Sequence, residues 1–372
     1  MVTAAPQELE RLRSTRRARA LRALIAGLGS VLLALVALEL ALRLADRFAG
    51  RDGGAYVPPE EDMIFEPHPF LGYALKPGIR RARPELTTNS LGMRGRDLQH
   101  AKPPGTFRIL CIGSSSTFGS GVRQEAASYP AQLERILDRA RPGGWAVEVG
   151  NCGVPGYTTA SELIDLELRK LELQPDAIVI YEAANDAGAI QCEGFLADYS
   201  HRYQAWRDPL LPSQRWLARN WRTYARLVVS FDRGDRPGTL AAYIMRPGDR
   251  ERHVPASRMV VEDGVQAFAR NLRTMIVVAR ANGVRPMLAT FAYCDPLLKP
   301  GNLDLSATVD RMNAAVIELG AREDVFVARV AEALGGRGDL FDDWVHPNAE
   351  GSRLQAEVIA RALVERGYFG DL

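Results

Sequence analysis

Two hydrophobic patterns divide the chain. Near the start, residues 23–38 (ALIAGLGSVLLALVAL) carry no charge, and the apolar character resumes after Glu39 and runs past Arg43 to Ala45. Sixteen helical residues span about 24 Å, less than the roughly 30 Å of a bilayer core. With Glu39 and Arg43 in the interfacial zone, residues 23–45 are long enough to cross. From residue 107 the pattern changes to short apolar runs alternating with longer segments of helical apolar spacing. The runs 107–112, 145–153, 176–183, 285–293 and 325–330 are predicted strands, and 129–140, 159–173, 265–283, 307–323 and 348–367 are predicted helices. This alternation implies an α/β fold with a mostly parallel sheet, and such sheets bind ligands beyond the carboxyl ends of their strands.

One stretch breaks the rhythm. An insertion at about 190–262 contains Trp206, Trp216 and Trp221, three of the five tryptophans. It is either a packing subdomain or a lid or substrate wall over the expected ligand site. Residues 46–104 are rich in proline, glycine and charge, and read as an irregular or lightly β-structured lead-in. The expected organisation is therefore a tail (1–22), an apolar span (23–45), a lead-in (46–104) and a main domain (105–372) that holds the insertion.

The 372 residues are 47% hydrophobic and 25% charged, enough for a substantial core. A net charge of +2 is neutral on nucleic acid, and no such partner is expected. The distribution of charge says more. Arg11, Arg13, Arg16, Arg17, Arg19 and Arg22 precede the apolar run, against Glu8 and Glu10. A basic segment before a span keeps the N-terminus in the cytoplasm. An uncleaved single-pass anchor is the expectation, with a cleaved signal peptide and a buried soluble helix as alternatives. No clean A-x-A cleavage site follows the apolar core. The first two readings both place the rest of the chain outside the cytoplasmic membrane, in the periplasm or at the cell surface. None of the four cysteines has C-x-x-C spacing, which argues against structural zinc. Cys192 and Cys294 are candidates for pairing in an exported protein.

The chemistry lies in the segments at the strand ends. The first strand ends in Gly113-Ser114-Ser115-Ser116-Thr117-Phe118-Gly119, the second in Asn151-Cys152-Gly153-Val154-Pro155-Gly156-Tyr157-Thr158, and the third in Ala183-Ala184-Asn185-Asp186. Asp342-Asp343-Trp344-Val345-His346-Pro347 precedes the last helix. In a parallel sheet these segments converge on one edge. They supply a hydroxyl, a flexible backbone donor, an amide and a carboxylate–imidazole pair, the components of acyl transfer. The serine run lacks the G-K-[ST] of a nucleotide P-loop and the G-x-S-x-G of an α/β-hydrolase elbow. Of the five histidines, His346 alone has acids three and four residues before it, so Asp343 is placed to fix its tautomer.

These four blocks, IGSSSTFG, NCGVPGYTT, EAAND and DDWVHPN, resemble the SGNH (GDSL-like) hydrolases. Upstream, FLGYALKP and NSLGMRG resemble membrane-tethered bacterial members of that family. The resemblance implies a flavodoxin-like three-layer α/β/α sandwich and ester hydrolysis or acyl transfer without a metal or other cofactor. It implies Ser115 as nucleophile, His346 as base and Asp343 as its partner. The Ser115 N–H, Gly156 and Asn185 would form the oxyanion hole. Ser114 stands where the family has an Asp, and Ala183 where it has a Gly. The expected activity is a serine esterase cleaving carboxylic esters, O-acetyl esters among them, of small molecules, glycans or lipids. The alternatives are an O-acyltransferase acting on an envelope glycan, and a non-catalytic binding protein that keeps the fold.

Overall fold

A computed structural model of the chain describes residues 6–48, 64–82, 85–192, 194–203, 216–217, 220–224, 257–298 and 305–370. They belong to two units, one drawn from Met1–Met63 with Leu210–Ile244 and the other from Ile64–Pro209 with Met245–Leu372.

The first unit is built on helix α1 (Pro6–Phe48). Within it Ala18–Ala45, 28 residues, is long and apolar enough to cross a membrane. Its Leu24, Ile25, Leu28, Leu32 and Leu33 are all more than half exposed. Burying apolar surface is worth about 25 cal/mol per Å², so a bare leucine-rich helix calls for an apolar environment. A membrane anchor or a signal sequence fits this helix.

The second unit begins with two antiparallel hairpins. Strand β1 (Phe65–His68) pairs with β2 (Gly72–Leu75), and β3 (Arg80–Ala82) with β4 (Glu85–Thr87). A five-stranded sheet comes next, made of β5 (Thr106–Gly113), β6 (Ala146–Asn151), β7 (Ala177–Tyr181), β8 (Arg285–Ala289) and β9 (Val327–Ala328). Its order is β6-β5-β7-β8-β9 and every pairing is parallel. Helices α3 (Tyr129–Ala140) and α9 (Ala349–Glu365) pack together over one face. The other face carries α4 (Thr159–Asp165), α5 (Ala184–Ile190), α6 (Arg258–Ala281) and α7 (Leu305–Glu323). This is the three-layer, flavodoxin-like arrangement expected, and chain order reverses beside β5, where such sheets place their ligands.

Local chemistry explains the elements. All eight residues of β5 are buried, as a strand covered on both faces requires. Arg108 is its one charged residue. Its guanidinium bonds Glu148 at 2.8 Å and the Leu173 carbonyl at 2.5 Å. Helix α6 begins before the predicted start because Ser257 caps it, accepting from Val260 N–H at 3.3 Å. Its Val265, Phe268, Leu272, Met275, Ile276 and Ala279 form the buried face. The predicted helix at 159–173 is regular only to Asp165. A π turn (Leu166–Lys170) and a 3₁₀ turn (Leu171–Leu173) complete it, and bring buried Lys170 within 3.4 Å of Asp165. The last predicted strand shortens to an edge pair because helix α8 (Val330–Leu334) starts directly after it. No disulfide joins the four cysteines, Cys192 and Cys294 included, and all four are buried.

Most of the insertion, with Trp206, lies outside the described residues. Trp216 and Trp221 fall in the first unit, with α1.

Candidate active site

Strand β5 ends in a turn that only glycine fits. A Cβ on Gly113 would collide with Thr117 Oγ1 and sit 2.5 Å from the Tyr181 carbonyl. The chain turns at once into α2 (Ser115–Phe118), closed by Gly119 in the left-handed region with φ 91°. This turn decides among the three serines. Ser114 is 2% exposed and Ser116 5%, whereas Ser115 is only partly covered. The Ser116 hydroxyl is spent on the Val345 carbonyl at 2.9 Å, and that of Ser114 turns to Glu182.

His346 comes from a tight loop ahead of α9. Asp343 Oδ1 accepts the N–H groups of Val345 (2.9 Å) and His346 (3.0 Å), and Asp342 N–H donates to the His346 carbonyl at 2.9 Å. Asn348 then caps α9 by accepting from Glu350 and Gly351 N–H. The loop is thus fixed at both ends. Its imidazole Nδ1 lies 2.6 Å from Asp343 Oδ2, and its Nε2 lies 2.8 Å from Ser115 Oγ. With Nδ1–H donating to the carboxylate, Nε2 is left to accept the serine proton. Burial raises the Asp343 pKa, but the imidazole and two backbone N–H groups more than offset this and hold it below the usual carboxylate value. The carboxylate therefore stays charged against the ring.

The other two blocks reach the same edge. Val154 N–H donates to the Gly113 carbonyl at 3.1 Å, which ties the loop after β6 to the end of β5. In that loop Gly156 has φ 86°. The Asn185 amide donates to the Tyr157 carbonyl at 2.8 Å, joining the third block to the second. Ser115, Gly156, Asn185 and His346 are all partly exposed, while Ser114, Ser116, Tyr157, Asp186 and Val345 around them are buried. The structure thus brings all four blocks to one edge, with Asp343, His346 and Ser115 in a hydrogen-bonded line.

Sequence reasoning missed the supports of this edge. The lead-in is one. The Tyr73 hydroxyl donates to the Pro155 carbonyl at 2.8 Å, and Tyr157 donates back to the Tyr73 carbonyl at 2.6 Å. Their rings meet edge to face at 5.3 Å. With Leu71, Leu75, Leu86, Phe118 and Val154 they form a small second core beneath Gly156 and α2. Arg94, 4% exposed, donates to the Phe118 and Gly119 carbonyls at 2.7 and 2.8 Å and stacks on the Phe118 ring. It holds the carbonyl end of the serine helix. The FLGYALKP and NSLGMRG motifs carry these two residues, but nothing in their pattern says what they touch.

The second support is a set of buried acids. Glu182 Oε1 accepts the N–H groups of Ala183 (3.1 Å) and Asn185 (3.2 Å), which fixes the start of α5. Asp186 is fully partnered by Thr159 and Tyr199. Glu162 joins Glu182 side chain to side chain, yet neither of its oxygens meets an N–H or hydroxyl donor. Burial, then the nearby acids, raises the pKa of Glu162 and Glu182. Burial favours the protonated form of both, and a proton on either is the donor the pair otherwise lacks. Glu182 directly follows the apolar strand β7, and that charge was the readable signal.

Residues 111–354 match the GDSL-like Lipase/Acylhydrolase family. The chain belongs to this family. Its members are ester-hydrolysing enzymes, and this chain is one of them. Among solved structures it is similar to a lipase/acylhydrolase from Enterococcus faecalis, at 20% identity and a TM-score of 0.43, over 70% of this chain and 96% of that one. It is also similar to an acetylxylan esterase from Geobacillus stearothermophilus, at 14% identity and a TM-score of 0.42, over 69% of this chain and 94% of that one. A search of curated proteins finds no match.

Proposed function

We propose that the chain is a serine esterase with Ser115 as nucleophile, His346 as general base and Asp343 as the partner that orients the ring. The carrying observation is the line Asp343–His346–Ser115, at 2.6 and 2.8 Å, ending on the one accessible serine of three. Ser115 Oγ attacks the ester carbonyl while His346 Nε2 takes its proton. The oxyanion is met by the N–H of Ser115 and donors from Gly156 and Asn185. Collapse breaks the bond to the alcohol oxygen, which leaves with the proton from His346. Water, deprotonated by the same nitrogen, attacks the acyl-serine; the acyl–oxygen bond breaks, the acid leaves, and His346 returns the proton to Ser115 Oγ.

In this reading α1 is an uncleaved anchor with its arginine-rich end in the cytoplasm, and residues 105–372, with the insertion at about 190–262, form the catalytic domain outside. Acyl esters of envelope glycans or lipids are then the substrates within reach, and acetyl esters are the ones to try first. This substrate class rests on location.

The test is hydrolysis of p-nitrophenyl acetate by the detergent-solubilised full chain. Ser115→Ala should abolish turnover, while Ser114→Ala and Ser116→Ala keep most of it. Full activity in Ser115→Ala would sink the assignment.

A further inference from the structure

Within the first unit, α1 has one covered stripe. Leu35, Glu39 and Leu42, one helical face by their spacing, are the least exposed residues of 23–45, and Glu39 is 8% exposed. What covers it comes from far along the chain. The Glu39 carboxylate accepts Arg222 N–H at 3.1 Å, and both the N–H and the hydroxyl of Thr223 at 2.8 Å. Arg43 closes the cluster, donating to Glu39 at 2.8 Å and to the Asn220 carbonyl at 2.7 Å. The two charges that interrupt the apolar run are therefore both satisfied by residues 220–223 of the insertion.

Depth comes from the helix rise. Glu39 lies sixteen residues beyond Ala23, about 24 Å along the axis. In a bilayer whose core is about 30 Å thick that is close to its outer edge. Charged side chains and irregular backbone are tolerated at such depth only where protein or interface satisfies them. A segment bonded to Glu39 must then lie at the same level. It also carries the side chains that favour this level. Trp216 is 60% exposed, and Trp221 and Tyr224 are partly exposed. Tryptophan and tyrosine concentrate where hydrocarbon meets headgroups.

We propose that residues 216–217 and 220–224 are a second membrane contact: they seat on the outer end of α1 through Glu39 and Arg43 and place Trp216 and Trp221 in the headgroup boundary of the bilayer. The partner is the lipid surface itself. Residues 216–217 and 220–224 of the insertion thus serve attachment, which neither sequence-based reading of it considered. The proposal rests on α1 being an uncleaved anchor.

The experiment uses the full chain in vesicles of phosphatidylcholine and phosphatidylglycerol, with bromine placed either near the headgroup or deep on the acyl chain. Shallow bromine should quench tryptophan fluorescence more than deep bromine. The Trp216→Phe/Trp221→Phe variant should lose at least half of that quenching, and Glu39→Gln should reduce it. Equal quenching in wild type and the double tryptophan variant would overturn the proposal. So would full quenching in Glu39→Gln, because the seat would not be the one described. An alkaline carbonate wash separates the two readings. A chain that resists extraction but shows no quenching from Trp216 and Trp221 keeps its anchor and loses this contact. A chain that is released loses both.

Discussion

Replacing Gly156 with alanine tests whether the lead-in sets the loop that would supply an oxyanion donor. The new Cβ would lie 2.5 Å from the Tyr73 hydroxyl oxygen, with the ring carbon behind it at 3.7 Å. At φ 86° an alanine carries about 1–2 kcal/mol of left-handed strain. Forcing the phenol aside adds about 1–3 kcal/mol of overpacking. Tyr73→Phe alone removes the hydrogen bond to Pro155 and costs about 1 kcal/mol. It also removes the atom the new methyl strikes. The double variant should therefore keep the strain and the lost hydrogen bond but not the clash. Its destabilisation should fall short of the sum of the singles by about 1–3 kcal/mol. Activity should obey the same logic. Moving one oxyanion donor lowers kcat about 10²–10³-fold, so Gly156→Ala should be badly impaired and Tyr73→Phe should restore part of the loss.

The cycle needs four proteins, with thermal unfolding and p-nitrophenyl acetate turnover measured on each. Additivity within about 0.5 kcal/mol would refute the reasoning, because Tyr73 would then not be the atom that limits Gly156. Loss of activity in Gly156→Ala that Tyr73→Phe leaves untouched would refute it equally.

Asp343→Asn should lower kcat about 10⁴-fold, since an amide cannot hold the imidazole in the required tautomer and charge state. The folded Asp343 pKa is depressed, so the stability it contributes is complete above its ordinary value of 3.8 and is lost as pH falls through the lower folded value. The gap in melting temperature between wild type and Asp343→Asn should be constant above about pH 5 and narrow below pH 4; a gap that widens in acid contradicts the assignment. Glu162 has the opposite sign. Its folded pKa is raised, first by burial and then by Glu182 and Asp186, so the folded chain loses stability as pH rises above the ordinary 4.5. Glu162→Gln keeps a donor for Glu182 without a titrating proton, and its melting temperature should gain on wild type between pH 5 and 8. Melting curves that stay parallel across that range would rule out a proton retained by the buried pair.

The sequence was readable where one rule governs a whole element. Apolar periodicity located the strands and helices because a strand buried on both faces, such as β5, is apolar over most of its length, with Arg108 held by its own ion pair, and a helix such as α6 must show one apolar side. The four blocks were readable because a parallel sheet sends every strand's carboxyl end to the same edge, which lets side chains 231 residues apart meet at 2.8 Å. The choice of Ser115 needed the family resemblance, since three adjacent serines are alike in composition. Only the structure separates them by exposure, through a turn that buries the serine on either side. The supports were illegible for a different reason. Tyr73, Arg94 and Glu182 act on backbone groups, the carbonyls of Pro155, Phe118 and Gly119 and the N–H of Asn185, and backbone partners leave no mark in side-chain patterns. Ser114 shows what this means for reading the motif. Where the family has an acid the chain has a serine, and the hydroxyl of that serine bonds Glu182, an acid supplied from the neighbouring strand's end whose pKa burial raises. The motif records which residue occupies a position, whereas the chemistry depends on which group arrives there.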